Sequence, residues 1–262
     1  MSYSNNKYFN TIAAISDIHS NVFALEAVLA DIKYRDIDQI VNLGDILYGP
    51  IAPKATYELL TKYQDNIITI RGNQDRQIYE ATAAEINNNA TMAFITGELS
   101  KTAIKWMREL PFDYHLNEDV YLCHGSPNDD MVYLLENIEC GQPMIRSDME
   151  ILSLLNGIDS AIIICGHTHI PRTVTLSTGQ TIVNTGSVGY PAYKDDLPIV
   201  HKMQTYSPHA SYALIKCVEN KQGKQWKTEH VRVPYDYEAA AKLALANGRE
   251  DWAFALRTGR VL

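Results

Sequence analysis

Cysteine is scarce in this sequence, and the cysteines that occur form no pairing pattern. Cys123, Cys140, Cys165 and Cys217 are scattered along the chain with no C-x-x-C pair. This spacing argues against a zinc finger and against a disulfide framework. We therefore expect reduced thiols, with Cys123 and Cys165 acting as small core residues on strands.

Long apolar runs and positive charge are also lacking. No segment approaches the roughly 20 consecutive apolar residues of a membrane-spanning helix. Residues 1–10 contain no apolar stretch of the kind found in signal peptides. The chain has 23 Lys and Arg residues against 31 Asp and Glu residues, a net charge of −8, which argues against a broad surface for nucleic acid or anionic membranes. We expect a cytoplasmic protein with no membrane partner.

The apolar content is sufficient for a full core, because 46% of the 262 residues are hydrophobic. The sequence shows no internal repeat, low-complexity tract or linker, so we expect a single domain over residues 1–262. The oligomeric state stays open, and a homo-oligomer is compatible with the sequence.

Short apolar runs alternate with helix-length segments through the first part of the chain. The runs occupy residues 11–16, 39–43, 66–70, 119–123 and 162–165. Because the connections are long enough for helices, we predict an α/β fold with a mainly parallel sheet. Residues 74–110 keep helical spacing and predict two helices over one sheet face. Later strands are short and linked by turns, which indicates hairpins and a second sheet.

Polar side chains follow each of the five apolar runs at the point where the predicted strand ends. They are Asp17 with His19, Asp45, Asn73, His124, and His167 with His169. Ligand sites in open α/β sheets lie beyond the carboxyl ends of the strands, and side chains at i and i+2 of an extended chain point the same way. Any one of these residues could instead serve a turn or a cap, but the repetition over successive strands favours a shared site.

The donor set indicates the kind of site. All these side chains offer oxygen or nitrogen and none offers a thiolate, which is typical of divalent transition ions. They are too many for one tetrahedral zinc, but they suit two ions that share a carboxylate. Two divalent ions outweigh the charges of Asp17 and Asp45, so the centre would attract a phosphate.

These strand ends resemble, in order, the motif set of the calcineurin-like metallophosphoesterases. The motifs are Asp17-x-His19, Gly44-Asp45, Gly72-Asn73-x-Asp75, His124-Gly125 and Gly166-His167-x-His169. Residues 16–21, 48–50 and 184–189 resemble the small bacterial branch of that superfamily, which includes diadenosine-tetraphosphatase-like and phosphodiesterase members. The resemblance spans most of the chain, and it implies a two-sheet β-sandwich flanked by helices.

The resemblance also implies a ligand arrangement and a mechanism. One metal would be held by Asp17, His19 and His169. The other would be held by Asn73, His124 and His167. Asp45 would bridge the two, and Asp75 would orient a neighbouring ligand. The ions would be Mn, Fe, Zn, Co or Ni. A hydroxide between them would attack phosphorus in line, without a phosphoenzyme.

Gln74 departs from the family pattern, in which this motif usually reads Gly-Asn-His followed by Asp or Glu. A glutamine amide can donate a hydrogen bond but cannot give up a proton near neutral pH. Losing a general acid lowers the reaction rate roughly 10²–10⁴-fold when the leaving group is poor. We therefore expect phosphodiesters, phosphoanhydrides or activated monoesters as substrates, a nucleotide being one such small phosphorylated compound.

Residues 190–209 follow the last motif and look longer than in relatives, so they are candidates for a lid loop. Tyr190 and Tyr193 could stack on a nucleobase. An ordinary surface loop is an equal alternative. Asn21 and Arg76 lie next to motifs and are candidate substrate contacts, although Asn21 could instead cap the following helix and an arginine there more often forms a structural ion pair.

Other function classes stay open. One relative with this fold is a non-catalytic scaffold in a protein coat that has lost part of its metal set. A protein serine/threonine phosphatase and a DNA nuclease are further alternatives within the superfamily. Here every ligand position is filled, which favours an enzyme, and the negative net charge argues against the nuclease.

Overall fold

The computed structural model describes residues 9–220 and 223–262, and its centre consists of two five-stranded sheets. The strands, in chain order, are β1 (Thr11–Ile15), β2 (Gln39–Asn42), β3 (Ile67–Thr69), β4 (Tyr114–His115), β5 (Val120–Leu122), β6 (Glu136–Glu139), β7 (Gln142–Ile145), β8 (Ile162–Cys165), β9 (Arg172–Thr175), β10 (Thr181–Asn184), β11 (Ala192–Asp195), β12 (His201–Gln204), β13 (Ala210–Asn220) and β14 (Gly223–Val233). The first sheet has the order β14-β13-β1-β2-β3 and the second β4-β5-β8-β10-β9. The pairs β6-β7 and β11-β12 are separate hairpins.

The parallel strands predicted from the sequence are divided between the two sheets. In the first sheet β1, β2 and β3 are parallel, and in the second β5, β8 and β10 are parallel. The single mainly parallel sheet expected from the crossovers is therefore wrong, whereas the sandwich implied by the family resemblance is confirmed. The long hairpin β13-β14 pairs with β1 and completes the first sheet instead of forming the second one.

Both faces of the central strands are apolar because each sheet is covered on two sides. In β1, Ile12 and Ala14 face the layer between the sheets, where they join Ile162 and Ile164 of β8. The alternate residues Ala13 and Ile15 belong to the outer core under the helices. Cys165, as expected, is buried as a small core residue of the second sheet.

Helices cover the outer faces of both sheets. They are α1 (Val22–Lys33), α2 (Pro53–Thr61), α3 (Asn73–Glu80), α4 (Ala83–Asn88), α5 (Ala90–Glu98), α6 (Lys101–Glu109), α7 (Asp148–Leu155), α8 (Tyr237–Ala246) and α9 (Glu250–Thr258). Helices α1, α2, α3, α5 and α6 contribute buried residues to the core of the first sheet, and α7 to that of the second. Helices α8 and α9 pack together over Tyr190. No helix in the ranges described is long and apolar enough to cross a membrane.

Residues 74–110 form four helices where the sequence spacing predicted two. Each break coincides with an N-cap residue, namely Thr82, Asn89 or Ser100. The side chain of each accepts a hydrogen bond from a backbone N–H in the first turn of the next helix. These short polar side chains satisfy the free donors of a helix start, so the chain can turn while the apolar spacing continues.

Candidate metal centre

The predicted metal ligands converge beyond the carboxyl ends of β1, β2, β3, β5 and β8. Several of them adopt a positive φ that non-glycine residues rarely take: Asp17 at 55°, His19 at 50°, Asp45 at 53°, His167 at 69° and His169 at 60°. Backbone hydrogen bonds hold this geometry, from the Asp17 N–H to the Gly44 carbonyl at 2.9 Å and from the His19 N–H to the Asp45 carbonyl at 3.0 Å. Backbone strain concentrated in this way is typical of functional sites.

We define the first ligand group as Asp17, His19 and His169, all of which are buried. The Nε2 atoms of the two histidines lie 3.0 Å apart, and Asp17 Oδ1 lies 3.2 Å from His169 Nε2. The Nδ1 atoms contact backbone carbonyls, that of His19 with Tyr48 and that of His169 with Tyr190. A carbonyl can only accept, so each Nδ1 carries the proton and each Nε2 presents a lone pair to the other.

The charges in this group fit a cation between the ligands. Burial and the neighbouring His169 lower the pKa of His19 to about 4, so its imidazole is neutral near pH 7. Asp17 Oδ1 is buried and makes no hydrogen bond. Two opposed lone pairs and an unsatisfied carboxylate oxygen are costly when buried unless a metal ion ties them together.

We define the second ligand group as Asp45, His124 and His167, also buried. His124 Nε2 lies 3.5 Å from Asp45 Oδ2 and 2.9 Å from Oδ1 of Asn73, which brings the predicted amide ligand to the same place. The Nδ1 of His124 donates to the Leu43 carbonyl at 2.8 Å. The two nitrogens of His167 have the opposite roles from those of His124. Its Nε2 donates to the Met131 carbonyl at 3.1 Å, which leaves Nδ1 free to act as a metal ligand.

The titration of the second group differs from that of the first. Burial lowers the pKa of His167 to about 4, with the nearby His124 adding to the effect. Burial also opposes the charged form of His124, but Asp45 outweighs it and raises the pKa of His124 to about 10. Without a metal, His124 therefore carries a proton whose positive charge offsets the negative charge of Asp45. A divalent ion bound beside these two side chains would supply that positive charge instead.

Asp75, predicted to orient a neighbouring ligand, holds the backbone around Asp45. Its Oδ2 accepts the N–H groups of Asp45 and Gly72, both at 2.9 Å, and its Oδ1 accepts the Ile46 N–H at 2.9 Å. Burial, followed by the charge of Asp45, raises the pKa of Asp75 to about 7. Gly44 is required in the same turn, because it has a φ of +100° and a Cβ would lie 2.1 Å from the Gly72 nitrogen.

Gln74 lies at the mouth of the centre, next to Asp45. Its backbone N–H donates to Asp45 Oδ1 at 2.8 Å. Its side chain lines the adjoining cavity, and its Oε1 is buried without a hydrogen-bond partner in the ranges described. This amide oxygen is thus without a partner among the described residues and lies beside the ligand groups.

Two of the predicted substrate contacts have other partners. Asn21 caps α1, because its Oδ1 accepts the Ala24 N–H and its Nδ2 donates to the Gly189 carbonyl at 2.9 Å. Arg76 forms a two-pronged pair with Asp130, through Nε at 3.0 Å and Nη2 at 2.7 Å. Substrate contacts at these positions stay a prediction, while in the structure a helix cap and a buried carboxylate engage the two side chains.

Tyr190 and Tyr193 line a cavity of about 400 Å³ beside both ligand groups. The Tyr190 ring stacks on Trp252 of α9 at 3.6 Å between centroids, and the Tyr193 hydroxyl donates to the His167 carbonyl at 3.1 Å. We call Tyr190, Tyr193 and Trp252 the aromatic wall. Residues 192–204 contain the hairpin β11-β12, and a lid role for this segment stays a prediction.

The sequence reasoning missed Trp252, Asp130 and the Met131 carbonyl. Trp252 lies on a helix far along the chain from every motif, so no local spacing connects it to the site. Asp130 lies in the loop after β5 and pairs with Arg71 and Arg76, which follow β3. The basic residues beside the third motif are a signal that some buried acid is nearby, but they do not say which one.

Known proteins are similar to this chain in sequence and in fold. The sequence profile described as the calcineurin-like phosphoesterase superfamily domain matches residues 11–205. An uncharacterized protein of Methanocaldococcus jannaschii is 30% identical over 261 residues, covering 92% of this chain and 94% of that protein.

Solved structures extend the comparison. A metallophosphoesterase from Sphaerobacter thermophilus has a TM-score of 0.71 at 25% identity, covering 95% of this chain and 99% of its own. A hypothetical protein from Pyrococcus horikoshii OT3 shares the fold, with a TM-score of 0.72 at 17% identity and coverage of 95% and 98%. The chain belongs to the calcineurin-like phosphoesterase superfamily.

Proposed function

We propose that this protein is a phosphoesterase that uses two divalent metal ions to hydrolyse phosphodiester, phosphoanhydride or activated phosphomonoester bonds. The observation that carries the proposal is the pair of adjacent, buried ligand groups, in which imidazole lone pairs and the free Oδ1 of Asp17 face inward. Membership of the calcineurin-like phosphoesterase superfamily supports the same reaction class.

In this proposal each ligand group holds one ion. Asp17, His19 and His169 would hold the first, and His124, His167 and Asn73 would hold the second. Asp45 would be shared by the two, since it lies next to His124 and its backbone carbonyl accepts the N–H of His19 in the loop after β1. Bound divalent ions would supply an activated water and neutralise the charge of a phosphate.

The side chains around the ions determine position and proton supply. Asp75 fixes the Asp45 backbone through three N–H groups, so the bridging carboxylate keeps one orientation. The Gln74 amide can donate a hydrogen bond to a phosphate oxygen in the cavity. It has no proton to transfer, so the leaving group must depart without a general acid from this position.

The proposal is tested by metal analysis together with hydrolysis of bis-p-nitrophenyl phosphate in the presence of Mn²⁺. We expect two ions per chain and turnover that His124→Ala abolishes. His115→Ala provides a matched control, because His115 is exposed and belongs to neither ligand group. A chain that binds no metal and shows no turnover would instead support a scaffold role.

The absence of a general acid at Gln74 has its own test. We expect kcat/KM to rise steeply across esters whose leaving groups have decreasing pKa, because an unprotonated leaving group must carry the developing charge. Gln74→His should flatten this dependence. A flat dependence in the native enzyme that Gln74→His leaves unaltered would refute the preference for good leaving groups.

A further inference from the structure

A second cavity, of about 520 Å³, lies between α3, α4 and α5. We call it the α3–α5 groove. Gln77 lines both this groove and the cavity beside the ligand groups. At the same junction Asn89 of the groove donates through Nδ2 to the hydroxyl of Tyr48, which lines the other cavity, at 3.3 Å. The two cavities therefore meet along one edge.

The charges of the groove disfavour a second phosphate. The carboxylates of Glu80 and Glu85 lie in its lining. Arg76 also lines it, but two of its nitrogens contact Asp130 and a third lies 3.4 Å from Glu80. Its positive charge is thus already compensated, so a phosphate in the groove would meet carboxylates without a free cation.

The remaining lining suits a neutral group with polar edges. The amide of Asn88 makes no hydrogen bond in the part of the chain that the structure describes. The amide of Gln77 makes only a long contact, of 3.9 Å, with the Met131 sulfur. Ala84 and Met92 also line the groove, and their small or flexible apolar side chains can accommodate a flat ring. Free amides beside apolar surface are the usual composition of a site for a neutral organic ligand.

We propose that the α3–α5 groove binds a neutral, hydrogen-bonding organic group of nucleoside size attached to the scissile phosphate. The substrate is then a phosphodiester with one ester group in this groove and the phosphate at the ligand groups. This inference rests on the proposed phosphoesterase function and narrows its substrate class, because a polyphosphate would place further negative charge against Glu80 and Glu85.

The test compares two diesters on the Mn²⁺-loaded protein, thymidine 5′-(p-nitrophenyl) phosphate and methyl p-nitrophenyl phosphate. Ala84→Trp fills the groove, and Ala83→Trp adds the same ring on α4 to an exposed residue outside its lining. We expect the kcat/KM ratio of the thymidine ester over the methyl ester to fall about tenfold in Ala84→Trp, the effect of losing one or two hydrogen bonds. Asn88→Leu removes the amide without adding bulk, and it should also lower this kcat/KM ratio.

Binding separates this inference from the proposed function. The dissociation constant of thymidine 5′-(methyl phosphate), measured by calorimetry on the metal-loaded protein, should rise about tenfold in Ala84→Trp and stay constant in Ala83→Trp. If no diester is turned over but this binding difference holds, the proposed function fails and the groove stands. If neither the ratio nor the dissociation constant distinguishes Ala84→Trp and Asn88→Leu from the native chain, the groove proposal is overturned.

Discussion

The two ligand groups lie side by side but their rings are supported mainly by different parts of the molecule, with the Tyr193 hydroxyl, which donates to the His167 carbonyl, as a shared contact. The first is surrounded by the aromatic wall: His19 contacts the rings of Tyr190 at 5.5 Å and Trp252 at 5.8 Å between centroids. The second is held by polar contacts, in which the Met131 carbonyl orients His167 and the neighbouring Asp130 pairs with Arg71 and Arg76. We call these three charged residues the Asp130 clasp.

The difference indicates that the two halves of the centre can be disturbed separately. The aromatic wall depends on helix α9 near the end of the chain and on the segment after β10. The Asp130 clasp joins the loop after β5 to the start of α3, and so connects the two sheets next to the second group. Supporting contacts of this kind typically change metal affinity 10–100-fold when they are removed.

The largest effect is expected from the residue that the two groups would share. Asp45→Ala removes the proposed bridging carboxylate, and we expect kcat/KM for bis-p-nitrophenyl phosphate to fall roughly a thousandfold, because charge stabilisation of several kcal/mol is lost. Asp65→Ala, at an exposed position, serves as the control. If Asp45→Ala retained native activity, Asp45 would not be part of the catalytic site.

The aromatic wall is tested by Tyr190→Ala. The side chain is only 8% exposed and is stacked on Trp252, so we expect a loss of about 3 kcal/mol in the free energy of unfolding. The affinity for one ion should fall about tenfold, since the carbonyl that orients His169 loses its support. Tyr206→Ala, at a residue that is 63% exposed, should change neither quantity. Equal weakening of both ions in Tyr190→Ala would contradict separate supports.

The Asp130 clasp is tested by Asp130→Asn, which leaves two arginines without their buried partner. We expect a loss of about 2 kcal/mol at pH 7, reduced from the cost of a fully buried pair because both arginines are partly exposed. Burial raises the pKa of Asp130, but Arg76 and then Arg71 outweigh it and keep the pKa below its ordinary value of 3.8.

The lowered pKa of Asp130 determines how the stability difference between this variant and the native chain depends on pH. Because the folded-state pKa is lowered, ionised Asp130 stabilises the folded chain fully above pH 3.8. This stabilisation is lost as the pH falls through the folded-state pKa. Urea unfolding of the native chain and of Asp130→Asn should therefore give a constant difference from pH 7 to about pH 5 and a shrinking one below. A difference that grows on acidification would refute the ion-pair assignment.

An effect of similar size is expected at Glu136, which lies under the loop that carries His167 and His169. Burial raises the pKa of Glu136 to about 7 from its ordinary 4.5, although Arg172 opposes the shift. The folded chain then holds an extra proton between these values, so the free energy of unfolding falls as the pH rises through that range.

Glu136→Gln removes this titration. Between pH 5 and pH 8 the variant should gain roughly 2 kcal/mol relative to the native chain, as measured by urea unfolding. Glu139→Gln, an exposed position in the same hairpin, is the control. If the difference between Glu136→Gln and the native chain is the same at both pH values, Glu136 is ionised throughout.

The sequence located the ligand groups because their signal is local. Each ligand follows an apolar strand, and strand ends in an α/β fold meet at one edge, so His19 and His169 could be brought together without knowing the sheet order. The division into two sheets could not be read in the same way, since β3 and β5 are both short apolar strands followed by ligands. Their separation depends on packing between layers.

Contacts that lie far apart in the chain were the least predictable. Trp252 reaches the site only because α8 and α9 pack over Tyr190, and nothing in the spacing of residues 237–258 indicates this. The sequence alone could not choose between the roles of Asn21 and Arg76, because a polar residue beside a motif has the same appearance whether it contacts substrate, caps a helix or neutralises a buried acid. Only the partner distinguishes these cases.

The most direct test of two separately held ions is metal content in paired variants of the Mn²⁺-loaded, dialysed chain. We predict two ions in the native protein and one in each of His169→Ala and His167→Ala. Combining His169→Ala with His19→Ala should still leave one ion, because both changes affect the first group, whereas His169→Ala with His124→Ala should leave none. A single ion in the native chain, or one ion retained when both groups are altered, would contradict the account.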